Sequence, residues 1–164
     1  MSADYYTCWY RLDGQDRYLI WYTNDVDGVC LRDDKTPVFK EQAALMEYAA
    51  SIGINMQSEE PGLHDLDVVV KWIESPTGKT VDCQSFNAAW NLFADVSGSV
   101  KADFDQDQKR TKKVYEKLFC GMNLPSVTPE GKEYEPIWTK KEVALLHEVL
   151  SQGLEMFRAK IAEV

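Results

Sequence analysis

The chain has 164 residues, 45% of them apolar and 12% aromatic, which is enough for a core without disulfide or metal staples and excludes a disordered segment. The formal net charge of −9 opposes binding to phosphate backbones and suits a basic partner. The charge is uneven: residues 1–78 hold fourteen acidic and six basic side chains, residues 79–164 thirteen and twelve.

No apolar run approaches a membrane span, and the N-terminal residues lack the basic and apolar regions of a signal peptide. The expected setting is therefore the cytoplasm, with no membrane partner. Cys8, Cys30, Cys83 and Cys120 are far apart, no CxxC occurs, and neither His64 nor His147 is near a cysteine in sequence. Free thiols are expected rather than a zinc site or disulfides. No repeat or linker divides the chain, so one domain over 1–164 is expected, sheet-rich over 1–57 and helical over 58–164.

In chain order, Tyr5–Tyr10 and Arg17–Thr23 are rich in strand formers and are separated by the turn signal Asp13-Gly14. A second turn, Asn24-Asp25-Val26-Asp27-Gly28, leads to a third strand at Val29-Cys30-Leu31. Such short connections predict an antiparallel meander. Its aromatics fall on both faces, so one face should hold the core and the other needs helices or a partner. Asp33-Asp34-Lys35-Thr36-Pro37 reads as a loop, Lys40–Ser51 as a helix, and Ile54-Asn55-Met56 as a fourth strand. Glu59 and Glu60 lie in a polar loop, and Asp65-Leu66-Asp67 opens a helix through Ile73.

Helices follow from about Cys83 to Val96, ended by Gly98, and from Gln108 to Cys120. Three prolines and two glycines forbid regular structure between Leu118 and Trp138. That stretch still carries Leu124, Val127, Tyr134, Ile137 and Trp138, which predicts an ordered, largely packed crossing with Trp138 buried against Val143. Thr139-Lys140-Lys141-Glu142 is a capping box for a last helix whose apolar stripe extends to Ile161. The fold class predicted is α+β: an N-terminal antiparallel sheet of three to four strands with a mainly helical C-terminal part packed on it.

Catalytic and cofactor signals are weak throughout. Asp103-x-Asp105-x-Asp107 begins like a calcium loop, but Gln108 stands where glycine is needed and Val114 where the bidentate Glu belongs. An acidic cap before a basic helix is the simpler reading. His64 reads as a surface or capping residue and His147 as the boundary of a helix stripe. No nucleophile elbow, phosphate loop or HExxH occurs, so no catalytic residue, cofactor or metal ligand is assigned, and a non-enzyme is expected. The basic run Lys109–Lys117 is read as a solvated helix face rather than a nucleic-acid patch.

One resemblance bears on function. Pro37-Val38-Phe39-Lys40 opens a helix ending Tyr48-Ala49-Ala50-Ser51-Ile52-Gly53-Ile54, and His64-Asp65-Leu66-Asp67 follows. Ala89-Trp90-Asn91-Leu92-Phe93-Ala94-Asp95, Lys117-Leu118-Phe119, Asn123-Leu124-Pro125, Thr128-Pro129-Glu130-Gly131, Tyr134-Glu135-Pro136 and Trp138 come after it. In this order the chain resembles small bacterial immunity proteins of contact-dependent growth inhibition and related polymorphic toxin systems. The resemblance implies a cytoplasmic antidote that binds the toxic C-terminal domain of a large effector, and such toxins are frequently basic nucleases. It transfers no contact residues. Charge and expected exposure place the partner surface at Asp25, Asp27, Asp33 and Asp34, with Glu59, Glu60, Asp65 and Asp67 as a second cluster. The competing readings are a small-ligand or enzymatic α+β domain with a pocket between sheet and helices, and a homo-oligomer that buries sheet aromatics.

Overall fold

A computed structural model describes residues 3–164. Strands β1 (Asp4–Leu12) and β2 (Gln15–Thr23) form a long antiparallel hairpin with Leu12 opposite Gln15. Its two-residue turn places Asp13 at φ 55° and Gly14 at φ 72°. Two successive left-handed residues give a turn whose twist matches that of the strands, which is why Asp-Gly is favoured there. Strand β3 (Gly28–Val29) pairs antiparallel with β2, and β4 (Thr36–Val38) follows a second tight turn.

Helix α1 (Gln42–Ser51) covers one face of the hairpin, where Leu45 and Ala49 pack with Ile20, Phe39, Tyr5 and Tyr18. This helix covers the outer aromatic face at Tyr5 and Tyr18. The expected fourth strand at Ile54–Met56 is reduced to one bridge between Met56 and Tyr5, because Ile54 and Met56 turn their side chains into the α1 cluster. The fourth strand is instead β5 (Leu63–Asp65), and it lies parallel to β1. A parallel neighbour needs a crossover, which the passage through α1 supplies. The sheet order is β3-β2-β1-β5, so the sheet is mixed, not purely antiparallel.

The main core lies on the other face. Cys8, Tyr10, Leu12 and Leu19 point into it from the sheet, against α2 (Leu66–Glu74), α3 (Cys83–Val100), α4 (Gln108–Gly121) and α5 (Lys140–Lys160). The rings of Phe93 of α3 and Phe157 of α5 meet at a tilt of 53°, 5.8 Å apart, and Tyr10 meets Phe157 edge-on at 5.0 Å. A methyl group at Gly153 would collide with the Phe93 ring, so this glycine sets how closely α5 approaches α3. The architecture is α+β, with strands early and helices late, as the shift in apolar period predicts.

Two helix ends differ from expectation. Gly98 does not stop α3: it is exposed within the last turn, and the helix ends at Lys101 in a left-handed conformation. Buried Val96 and Ser97 hold that turn, so packing outweighs the roughly 1 kcal/mol helix penalty of a glycine. Ile161 does not extend α5; it opens β6 (Ile161–Glu163), which pairs parallel with β4.

The segment between α4 and α5 is pinned at points rather than packed along its length. The Asn123 amide brackets Tyr134, accepting from its N–H at 2.6 Å and donating to its carbonyl at 2.9 Å. Lys117 donates to the Ile137 carbonyl and to Glu142, and its ammonium lies 5.0 Å from the centre of the Trp138 ring. Trp138 is half-buried beside the core, as is Val143, whereas Val127, Tyr134 and Ile137 are exposed. This stretch is therefore packed only in part, at Leu124 and Trp138, rather than being the largely packed crossing expected. The capping box at Thr139 and Glu142 is formed.

Candidate protein-binding surface

The eight acidic residues expected to meet a partner fall into three situations. Asp25 and Asp27 are exposed on the loop between β2 and β3, with Val26 between them 78% exposed. Asp33 and Asp34 form the turn between β3 and β4, closed by the Arg32 N–H to the Lys35 carbonyl at 2.7 Å and the reverse bond at 3.1 Å. Their φ values are 53° and 64°. Two successive left-handed non-glycine residues are uncommon, although aspartate tolerates that region better than most residues. All four carboxylates are exposed, and among the described residues none forms a salt bridge; Arg32 and Lys35 flank the turn without pairing to it.

Glu59 and Glu60 are also exposed, but they precede β5 at the opposite edge of the sheet. Three strand spacings of roughly 4.8 Å separate the β3 and β5 edges, so the two clusters do not form one compact patch. Asp65 and Asp67 have structural partners. The Asp65 carboxylate caps α2 by accepting from the Asp67 N–H at 3.1 Å. The Asp67 carboxylate accepts the N–H groups of Asp13 at 2.6 Å and Gly14 at 2.8 Å, tying α2 to the hairpin turn.

Asp95 was not selected from the sequence, yet it belongs with the first cluster. It is half-buried on α3, and burial, together with the nearby Asp27 charge, pushes its carboxyl up to about 6. Ser99, one turn further along α3, accepts the Val29 N–H at 2.9 Å and so fixes the β3 edge against the helix. A Cβ on Gly28 would lie 2.5 Å from the Tyr22 hydroxyl and 2.6 Å from the Ser99 hydroxyl, which explains a glycine beside Asp27. Asp95 carried no distinguishing signal in sequence beyond its place next to the apolar stripe of Leu92, Phe93 and Val96.

The other candidates have local roles. Asp107 caps α4, and Asp103 accepts from Gln106. Asp105 accepts from the Trp90 indole at 3.3 Å and from Thr111 at 2.6 Å. Among the described residues, no group of three or more His, Cys, Asp or Glu side chains could hold a metal. His64 is not the surface or capping residue expected; it sits in β5, its ring edge-on to Trp21 and its Nδ1 4.0 Å from Cys8 Sγ. Burial lowers its pKa, and burial pushes the Cys8 thiol up to about 12, which keeps that thiol protonated. All four cysteines are free.

The architecture is that of an α+β protein with helices on both faces of a small mixed sheet. A solved structure with this fold is "The crystal structure of SatS c-terminal domain in complex with bromine", to which the chain is similar with a TM-score of 0.60 and 14% identity. The similarity covers 98% of this chain and 94% of that one, and at that identity it concerns the fold alone. No protein-family model and no curated protein matches the chain. No described helix is long and apolar enough to cross a membrane.

Proposed function

We propose that the protein binds and neutralises a basic protein toxin domain, as an immunity protein does, through the β3 edge. One observation carries this reading: Asp25, Asp27, Asp33 and Asp34 are exposed carboxylates without ion pairs among the described residues, and they flank the exposed apolar residues Val26 and Leu31 along the chain on either side of β3. A basic active site would be steered there by opposite potential, while the apolar residues supply contact area that charge alone does not. The Asp33-Asp34 turn favours the same reading. Asn-Gly would form it with less strain, so the carboxylates have a use other than closing the turn. Tyr5 and Tyr18 do not serve as anchors in this reading, because they pack against the α1 cluster. A ligand pocket between sheet and helices has no comparable support, since core side chains fill that interface.

The test is co-expression with the C-terminal toxin domain that this reading expects a neighbouring open reading frame to encode. Growth should be protected by the wild-type chain and lost with Asp25→Asn, Asp27→Asn, Asp33→Asn and Asp34→Gly combined, which removes the charge and keeps the turn. Binding kinetics should show a slower association and a flatter salt dependence for that variant. Equal protection and equal association by a folded variant would remove the β3 edge as the partner surface.

A further inference from the structure

The segment between α4 and α5 bounds a cleft of about 620 Å³ with an apolar lining from Phe119, Val127, Pro129 and Tyr134. Lys113 and Lys132 also line it. Phe119, Val127 and Tyr134 are 37%, 60% and 41% exposed, a concentration of open apolar surface that a solvated loop does not need. The other charges of the cleft are engaged: Lys117 pairs with Glu142, and Glu116 with Lys112. Among the described residues, Lys113 and Lys132 form no salt bridge. The cleft thus calls for an apolar group flanked by carboxylates.

The chain itself presents such a group in Asp25-Val26-Asp27, whose Val26 side chain is the most exposed large apolar residue of the sheet region. The charge of the whole chain has the same polarity: nineteen acidic and eight basic residues precede Lys109, while eight acidic and ten basic residues follow from it. One molecule does not fill its own cleft. The acidic loop is held near Ser99 at the C-terminal end of α3, and the cleft helix reaches α3 at its N-terminal end, where Gly121 abuts Cys83. At 1.5 Å per residue those points lie roughly 24 Å apart along the helix. We propose that the cleft receives the Asp25-Val26-Asp27 loop of a second copy of this chain, with Val26 against Phe119 and Tyr134 and the two carboxylates at Lys113 and Lys132. Such a contact is small, so association is weak, and it occupies the same loop that a basic toxin would use. It stands whether or not a toxin binds there.

Sedimentation velocity at rising concentration tests it. At low salt the wild-type chain should pass from monomer to larger species at concentrations on the order of 0.1–1 mM, and return to monomer in high salt. Asp25→Lys with Asp27→Lys, and separately Lys113→Glu with Lys132→Glu, should each weaken association at least tenfold, with folding checked by circular dichroism. Mixing these two variants pairs a lysine loop with a glutamate cleft and should restore association that neither shows alone. Val26→Ser, which leaves every charge in place, should weaken it several-fold. A chain that stays monomeric throughout the range at low salt overturns the proposal. Association unchanged by either double reversal, or a mixture that stays monomeric, does so equally.

Discussion

The two tight turns of the sheet are built alike and situated oppositely. Asp13-Gly14 and Asp33-Asp34 both place two successive residues at positive φ. The first is tied down: Asp67 of α2 accepts both of its N–H groups, and Arg158 near the end of α5 pairs with the Asp13 carboxylate. Among the described residues the second has only its own two backbone bonds, and its carboxylates face solvent without an ion pair. Arg158 holds the Asp13 carboxyl below the usual range. Elsewhere, beside the β2–β3 loop, burial and the Asp27 charge raise Asp95 of α3. A turn conformation read from sequence therefore says nothing about whether the turn is structural or free for a partner.

The largest effect should come from untying the first turn. Asp67→Ala leaves two backbone donors without their charged acceptor and should cost about 1.5–3 kcal/mol in denaturant unfolding. A loss below about 0.5 kcal/mol would mean that water replaces the carboxylate and that the turn is not anchored.

The next effect has the opposite sign and depends on pH. The folded chain holds a proton on Asp95 up to about pH 6, and the unfolded chain only to about 3.9. This group therefore adds stability as pH falls from 7 towards 4, while Asp13, held low by Arg158, loses its contribution as pH falls through its folded pKa. Asp95→Asn should raise stability at pH 7 by about 1 kcal/mol, after discounting for its partial exposure, and by progressively less towards pH 4. Equal shifts at pH 7 and pH 4 would show that ionisation of Asp95 is not the cause.

The smallest effect sharpens the contrast between the turns. Asp33→Asn with Asp34→Gly should stabilise the fold by about 0.5–1 kcal/mol, because the second position no longer holds a side chain in the left-handed region. The thermal midpoint should rise by a few degrees, and less in high salt if relief of repulsion contributes. A fall in the midpoint would mean that the aspartates stabilise the turn and that their exposure has no cost to explain.

The sequence alone determined what depends on neighbours along the chain. Strand-former runs around Asp13-Gly14 set the hairpin, helical spacing set α2 to α5, and Thr139 with Glu142 set the start of the last helix, because each is a short-range match of pattern to backbone. Tertiary structure decided what depends on distant residues. It took the fourth strand from Ile54–Met56 and gave it to Leu63–Asp65, since pairing with β1 depends on where α1 returns the chain. It ended α5 at Lys160 because Ile161 is drawn into pairing with β4. The candidate surface divided the same way: the exposure of Asp25, Asp27, Asp33 and Asp34 follows from their turns and was legible. The duty of Asp67 at a turn 53 residues away, the burial of Asp95 beside Asp27, and the exposure of Val127 and Ile137 were not. Residue type gives charge and hydropathy, but only the folded chain decides which charge finds a partner and which apolar side chain is left open.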